Sequence, residues 1–327
     1  MRIGTLAQHG NVGRGRINDH NIWLHHDFTD TNNVTLASSG GHESGSNKII
    51  SCSDSSPNEH LATVFSLTKT PFYGTTDGQN NKNYALSIDT STGSGSSEMQ
   101  WTNTSNTDLN MRDFTVTYVF DYHKPGHQTP ALIYNNVNWP DPGGANGDNL
   151  LFLKGATGES GIIQHFSLEI EIETLFISAF VRNIRAVCKT NSGDNKILSN
   201  FSTDSSYLDV DNTLLVAGTG GDKNYNFNWI TVVGKSDGSA EMYMRGKKVA
   251  TLDAGQFPDE KLKGGATSIT FSSALNGINK DAATIKCYEY VIFNKALNTQ
   301  ELYDIDWYVA NKYNYNKGRA YGGIGDG

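Results

Sequence analysis

Residues Ile285–Asn314 read IKCYEYVIFNKALNTQELYDIDWYVANKYN. Two periodicities meet in that stretch. Ile285–Phe293 is a short apolar and aromatic run, the composition of a buried strand. A few residues on, Asn298 offers the side-chain acceptor of a helix N-cap, and Glu301 stands three positions later, as a capping box requires. Leu302, Ile305 and Val309 then recur at helical spacing, with Trp307 and Tyr308 at the margins of the stripe. Lys312 falls where the helix dipole favours a cation. The spacing therefore predicts an apolar strand followed by one short, capped, amphipathic helix. A β-domain that closes this way belongs to a narrow set of folds, which mostly bind and seldom transform. Past Tyr313 the chain reads NYNKGRAYGGIGDG, and residues 316–327 are expected to form a flexible or partner-ordered Gly-rich tail.

Strand patterning continues upstream. Phe114–Tyr122 is its clearest example. Phe114, Val116, Tyr118, Phe120 and Tyr122 share one face, and Thr115, Thr117 and Asp121 share the other. Strict period two predicts one buried and one wetter face, as in antiparallel sheets. Further strands are expected at Leu61–Leu67, Tyr84–Ile88, Ala131–Tyr134, Leu150–Leu153, Ile162–Glu173, Leu175–Val187, Leu214–Ala217, Trp229–Lys235, Glu241–Arg245, Lys248–Leu252 and Ser268–Phe271. About a dozen strands with Gly- or Pro-marked turns, not alternating with helices, predict an all-β chain folded as a β-sandwich or jelly roll. Ser87–Asn110 reads as a polar loop carrying Trp101. Residues 1–59 are polar and irregular and read as an arm or loop region, with Ile22–Leu24 as a short apolar stretch suited to a strand. Residues 60–315 read as the sandwich domain.

At 327 residues the chain can bury a large core without covalent staples. A formal charge of −8, with no Lys/Arg-rich run, argues against nucleic acid as a partner. Cys52, Cys188 and Cys287 are far apart and in no metal-binding spacing, so buried free thiols and assembly in a reducing cytoplasm are expected. No stretch approaches the ~20 apolar residues of a membrane span. Met1–Gly15 lacks the apolar core of a signal peptide, so if the protein acts outside a cell it is expected to leave by another route, such as lysis.

Two segments carry a resemblance. Asn228–Gly255 reads NWITVVGKSDGSAEMYMRGKKVATLDAG: a Trp opens a strand, Asp237-Gly238 turns it, and MYMRGKKVAT follows. Tyr288–Asn314, the strand and helix described first, is the second segment. Together they resemble the hairpin and the ending of laminin-G-like, concanavalin A-like lectin/glucanase domains. The resemblance implies a two-sheet antiparallel β-sandwich, a concanavalin A-like jelly roll, with a short C-terminal helix. Domains with this ending are similar to those of tailed-bacteriophage virion proteins and secreted bacterial adhesins.

Candidate chemistry is sparse. Ser167–Thr174 reads SLEIEIET, and Glu169, Glu171 and Glu173 share one strand face with Ile163, His165 and Ser167. Retaining β-glucanases of the same superfamily use a strand resembling E-I-D-I-E. By that resemblance Glu169 is the nucleophile, Glu173 the acid/base and Glu171 their support. Yet Glu171 is one methylene longer than Asp, and the surrounding Gly and aromatic residues are missing. An acidic solvent face explains the row without catalysis, so no enzyme is expected. His25, His26 and Asp27 suggest a metal site, but adjacent strand histidines point to opposite sides and are expected at the surface or a subunit contact. The loop Trp139–Asn149 offers Asp141 and Asp148 as oxygen ligands for calcium, in an order that matches no template and that a turn-rich loop also explains. No other cofactor is expected. Trp101 and Trp139, read as loop residues, are the candidates for stacking on a sugar, whereas Trp229 opens a predicted core strand.

Three functions compete. The first is a structural protein of a bacteriophage virion, a capsid-decorating, fibre or tail-associated subunit whose lectin-like domain binds host glycans weakly. Its partners are other virion proteins and copies of itself, and it assembles in the host cytoplasm. The second is a stand-alone carbohydrate-binding module or adhesin. The third is a glycan hydrolase using Glu169 and Glu173. Oligomeric state, glycan binding and release of reducing ends discriminate them.

Overall fold

The structure, a computed structural model, describes residues 21–37, 48–56, 61–64, 72–74, 79–87, 97–102, 109–110, 112–123, 148–154, 163–175, 178–190, 195–199, 216–217, 227–257, 261–262, 268–271 and 284–315. Strands are numbered along the chain. One sheet runs, in spatial order, Lys247–Leu252 (β17), Ala240–Met244 (β16), Phe227–Gly234 (β15), Phe114–His123 (β9), Thr284–Phe293 (β20), Tyr84–Ser87 (β6) and Phe72–Gly74 (β5), with Ile22–Asp27 (β1) also paired to β20. The other runs Asn195–Ser199 (β13), Ser178–Thr190 (β12), Ile163–Leu175 (β11), Asp148–Lys154 (β10), Ser268–Phe271 (β19), Ser97–Thr102 (β7), Leu61–Val64 (β4), Ile49–Cys52 (β3) and Val34–Leu36 (β2), with Val216–Ala217 (β14) beside β12. Leu109–Asn110 (β8) pairs separately with Lys261–Leu262 (β18). Helix α1, Thr299–Lys312, follows β20. The fold is the all-β, two-sheet antiparallel sandwich that the alternation predicts.

The first core lies between the sheets. Phe114, Val116, Tyr118 and Phe120 of β9, with Ile230, Val232, Tyr290 and Ile292 beside them, pack against Phe166, Leu168, Ala186, Cys188 and Leu198 of the second sheet. Phe114 meets Phe166 edge-on with ring centroids 5.7 Å apart, a favoured aromatic geometry. Cys52, Cys188 and Cys287 are free and buried, as expected.

The second face of β9 is not wet, which corrects the expectation from its threonines. Val119, Trp229, Val233, Tyr288, Val291 and Phe293 form a second core under Leu297, Leu302, Ile305, Val309 and Tyr313. Thr115 and Thr117 are buried there with their hydroxyls satisfied. Thr115 Oγ1 donates to the Lys295 carbonyl at 2.9 Å and accepts the Leu297 N–H at 3.0 Å, and Thr117 Oγ1 lies 3.0 Å from Thr231 Oγ1. Threonine reads as solvent-facing in a sequence, yet a covering helix segment can bury it once its hydroxyl finds a carbonyl. The layers are therefore sheet, sheet and helix.

Other details follow from local chemistry. The capping box is formed: Asn298 Oδ1 accepts the Glu301 N–H at 3.1 Å, and Glu301 Oε2 accepts the Asn298 N–H at 2.9 Å. The two-residue β16–β17 turn holds Arg245 at φ 48 and Gly246 at φ 77, both left-handed as a type I′ hairpin requires. Ile22–Leu24 lies within β1, which pairs antiparallel with β20. Ser87–Asn110 is not all loop: Ser97–Thr102 is drawn into the second sheet between β19 and β4. The expected strand Ala131–Tyr134 lies outside the described residues. Removing the helix cap by Asn298→Ala is expected to cost about 1 kcal/mol, measured by urea unfolding of parent and variant.

Candidate functional site

Among the described residues the sequence candidates are scattered. Glu169, Glu171 and Glu173 lie on β11, opposite Arg185, Asn183 and Phe180 of β12, with a register shift between Glu171 and Ile172. Phe166 and Leu168 of the same strand are fully buried, and the three glutamates belong to the other alternation. Trp101 is a strand residue of β7, paired opposite Ala62, which corrects its reading as a loop residue. Its flanks are polar and only its long-range pairing defines the strand. Asp148 opens β10 opposite Ile170 instead of closing a loop. Trp139 and Asp141 lie outside the described residues.

The densest chemistry sits between the first described strand and the helix. Antiparallel pairing places Asp27 of β1 opposite Glu289 of β20, and the last turn of α1 brings Lys312 onto them. Lys312 Nζ lies 2.6 Å from Asp27 Oδ2, 3.0 Å from Glu289 Oε2 and 3.0 Å from the Tyr308 hydroxyl. Glu289, fully buried, also accepts from Tyr308 Oη at 2.9 Å and Tyr313 Oη at 2.8 Å, and from His25 Nε2 at 2.9 Å. Burial alone would raise the Glu289 pKa. The Lys312 ammonium and the His25 contact overcome it and hold the carboxyl well below the usual range. Burial likewise opposes the Lys312 charge, but the two carboxylates push its pKa up.

This cluster revises the reading of the histidines. His25 and His26 are buried, not at a surface. They do point to opposite sides. His26 Nδ1 bonds the Tyr290 hydroxyl in the core, its ring edge-on to Tyr290 at 5.2 Å, while His25 joins the ionic cluster. The ligand atoms of His25, Asp27 and Glu289 lie within 4.8 Å of one another, close enough to hold a metal, but the Lys312 ammonium already bonds both carboxylates. Strand period explains His25 and Asp27 at i and i+2. Nothing local in the sequence points to Lys312, 285 positions from Asp27.

A second cluster sits at the β16–β17 hairpin tip. Arg245 Nε donates to Asn228 Oδ1 at 2.6 Å, its guanidinium bonds the Tyr315 hydroxyl and lies 5.3 Å from that ring centroid. Trp229 meets Tyr315 edge-on at 5.4 Å and donates its indole N–H to Asp306 Oδ1. The other Asp306 oxygen rests over Gly246, where any side chain would collide with it. Burial pushes the Asp306 pKa up to about 7, against the lowering effect of the Trp229 bond. The expected packing role of Trp229 is what is observed.

No protein-family model matches this chain, and no curated protein matches it. Solved structures do resemble it. The binding domain of Paraclostridial Mosquitocidal Protein 1 matches at TM-score 0.50 and 13% identity, over 80% of this chain and 52% of that one. The botulinum neurotoxin serotype G binding domain matches at 0.51 and 12%, over 89% and 51%. The binding domain of botulinum neurotoxin DC, solved in complex with rat synaptotagmin II, matches at 0.50 and 13%, over 91% and 53%. This chain thus spans about half the length of those structures. At such identity the likeness concerns the fold, a lectin-like β-sandwich.

Glu289 and Asp306 give opposite pH dependences. Glu289 has a depressed pKa, so its stabilisation is present above its ordinary value of 4.5 and is lost as pH falls through its folded value. Asp306 has a raised pKa, so its stabilisation is full below 3.8, declines as pH rises from there, and is gone above about 7. Asp306→Asn keeps an acceptor for Trp229 and removes the costly charge. It is expected to flatten the decline of stability toward pH 7, read from denaturation midpoints across that range.

Proposed function

We propose that this chain is a non-catalytic recognition module that binds cell-surface glycans or receptors. The observation that carries the reading is the architecture: a two-sheet antiparallel sandwich whose fold is similar to that of toxin binding domains. Its chemistry is consistent with that role. The acidic row on β11 pairs with Arg185, Asn183 and Phe180 of β12, across a shift in register at Glu171. At the hairpin tip a guanidinium and a carboxylate, Arg245 and Asp306, are partly exposed beside buried Asn228 and Tyr315, and such charged groups bond sugar hydroxyls. Trp101 and Trp139 remain the proposed stacking surfaces.

A glycan array followed by calorimetric titration tests this. Binding without release of reducing ends is expected. Trp101→Ala or Trp139→Ala is expected to weaken it about tenfold, equivalent to about 1.4 kcal/mol, while Glu169→Gln leaves it unchanged. Loss of reducing-end release in Glu169→Gln would instead favour the hydrolase.

A second reading places the module on a bacteriophage particle, assembled in the host cytoplasm with other virion proteins and copies of itself. The resemblance of Tyr288–Asn314 to virion domains favours it, as do the polar composition of 1–59 and the Gly-rich 316–327. Size-exclusion chromatography is expected to give a symmetric oligomer. A monomer that binds sugar on its own would favour the stand-alone module.

A further inference from the structure

We propose that Lys312 and Asp27 condense into an intramolecular amide, with Glu289 carrying the proton, so that β1 and the C-terminal helix become covalently joined. Three observations carry it. An amine and a carboxyl are in direct contact, Nζ to Oδ2 at 2.6 Å, with both side chains only 14% exposed. A second carboxyl, fully buried, lies 3.0 Å from the same Nζ. The target carboxyl is fixed and polarised from its other side, because Asp27 Oδ1 accepts the Thr29 N–H at 2.9 Å and the Thr29 hydroxyl at 2.6 Å. This is a nucleophile, an acyl group, an oxyanion site and a proton carrier in one buried cluster.

The step balances without any co-reactant. The resting cluster is ion-paired. Its reactive form is the neutral tautomer, in which one Lys312 proton has crossed the hydrogen bond to Asp27 Oδ2. The two carboxylates oppose that exchange by holding Lys312 charged, so the neutral form is a minor one. The Nζ lone pair attacks Cγ, and the charge that develops on Oδ1 meets the two Thr29 donors. Glu289 Oε2 takes a second proton from Nζ and delivers it to Oδ2. The Cγ–Oδ2 bond breaks, the Nζ–Cγ bond remains, one water leaves, and Glu289 returns to its carboxylate. Holding the groups in contact replaces a bimolecular encounter, worth an effective concentration on the order of 10⁵ M or more. The Tyr308 and Tyr313 rings, 5.3 and 5.6 Å from Nζ by their centroids, shield the product from hydrolysis. His25 Nε2 and the two tyrosine hydroxyls orient Glu289.

Intact-mass spectrometry of the full chain, held folded at neutral pH, tests the proposal. The parent is expected one water lighter than its sequence mass, and digestion should yield a branched peptide joining the fragments that contain Asp27 and Lys312. Asp27→Asn is the sharper arm. It keeps the side-chain shape, and condensation there expels ammonia, so its product must have the same mass as the cross-linked parent. Lys312→Arg keeps the cation and is expected at its full sequence mass. Glu289→Gln is expected to slow the loss at least tenfold while circular dichroism reports an unchanged sheet signal. A parent at full mass with no branched peptide overturns the amide. So does a water loss that maps to an Asp27 succinimide within one peptide.

Discussion

A sheet that is apolar on both faces needs two covers, and the sandwich supplies only one. Strands β9, β15 and β20 bury Phe120, Ile230 and Ile292 against the second sheet, and Val119, Trp229 and Phe293 on the other side. The second set stays dry only if something lies over it. Helix α1 and the segment leading to it do so, which is why β20 is followed by a helix instead of another strand. Burying an aliphatic or aromatic side chain contributes roughly 1.5–3 kcal/mol. The helix stripe of Leu302, Ile305 and Val309 thus stabilises the sheet as much as itself.

That cover has an electrostatic consequence. Glu289 faces the helix from a central strand, and covering the strand takes its carboxylate out of water. An unpaired charge there would cost several kcal/mol. Lys312, His25 and two tyrosines answer that cost at distances of 2.8 to 3.0 Å. The same covering step desolvates Asp306, whose Oδ1 accepts the Trp229 indole N–H. One carboxylate is held ionised and the other is pushed toward neutrality by the same layer. Toward the β16–β17 hairpin the cover leaves a cluster of mixed polar groups bonded to one another around Trp229 and Tyr315.

Much of this was legible in the residues. Period two in Phe114–Tyr122 marks the inter-sheet face, and Asn298 with Glu301 marks the helix start, because both signals are local and each residue meets partners a few positions away. The Asp237-Gly238 turn is legible for the same reason. Trp101 was misread as a loop residue because its strand is defined by hydrogen bonds to β4 and β19, far away in the chain. Thr115 and Thr117 were misread as wet because alternation reports polarity, not what lies above the sheet. His25 and His26 were misread as surface residues because adjacent histidines carry no mark of the glutamate and tyrosine that receive them.

The sequence by itself determined the alternating strands such as Phe114–Tyr122, the turn at Asp237-Gly238 and the start of the capped helix at Asn298. These depend on backbone propensity and on spacing within a few residues, which the order of amino acids states directly. Only the tertiary structure decided which face of each strand is covered, and it alone brought Lys312 to Asp27 across nearly the whole chain. Such meetings depend on register and layering between distant segments, and no short-range pattern encodes them.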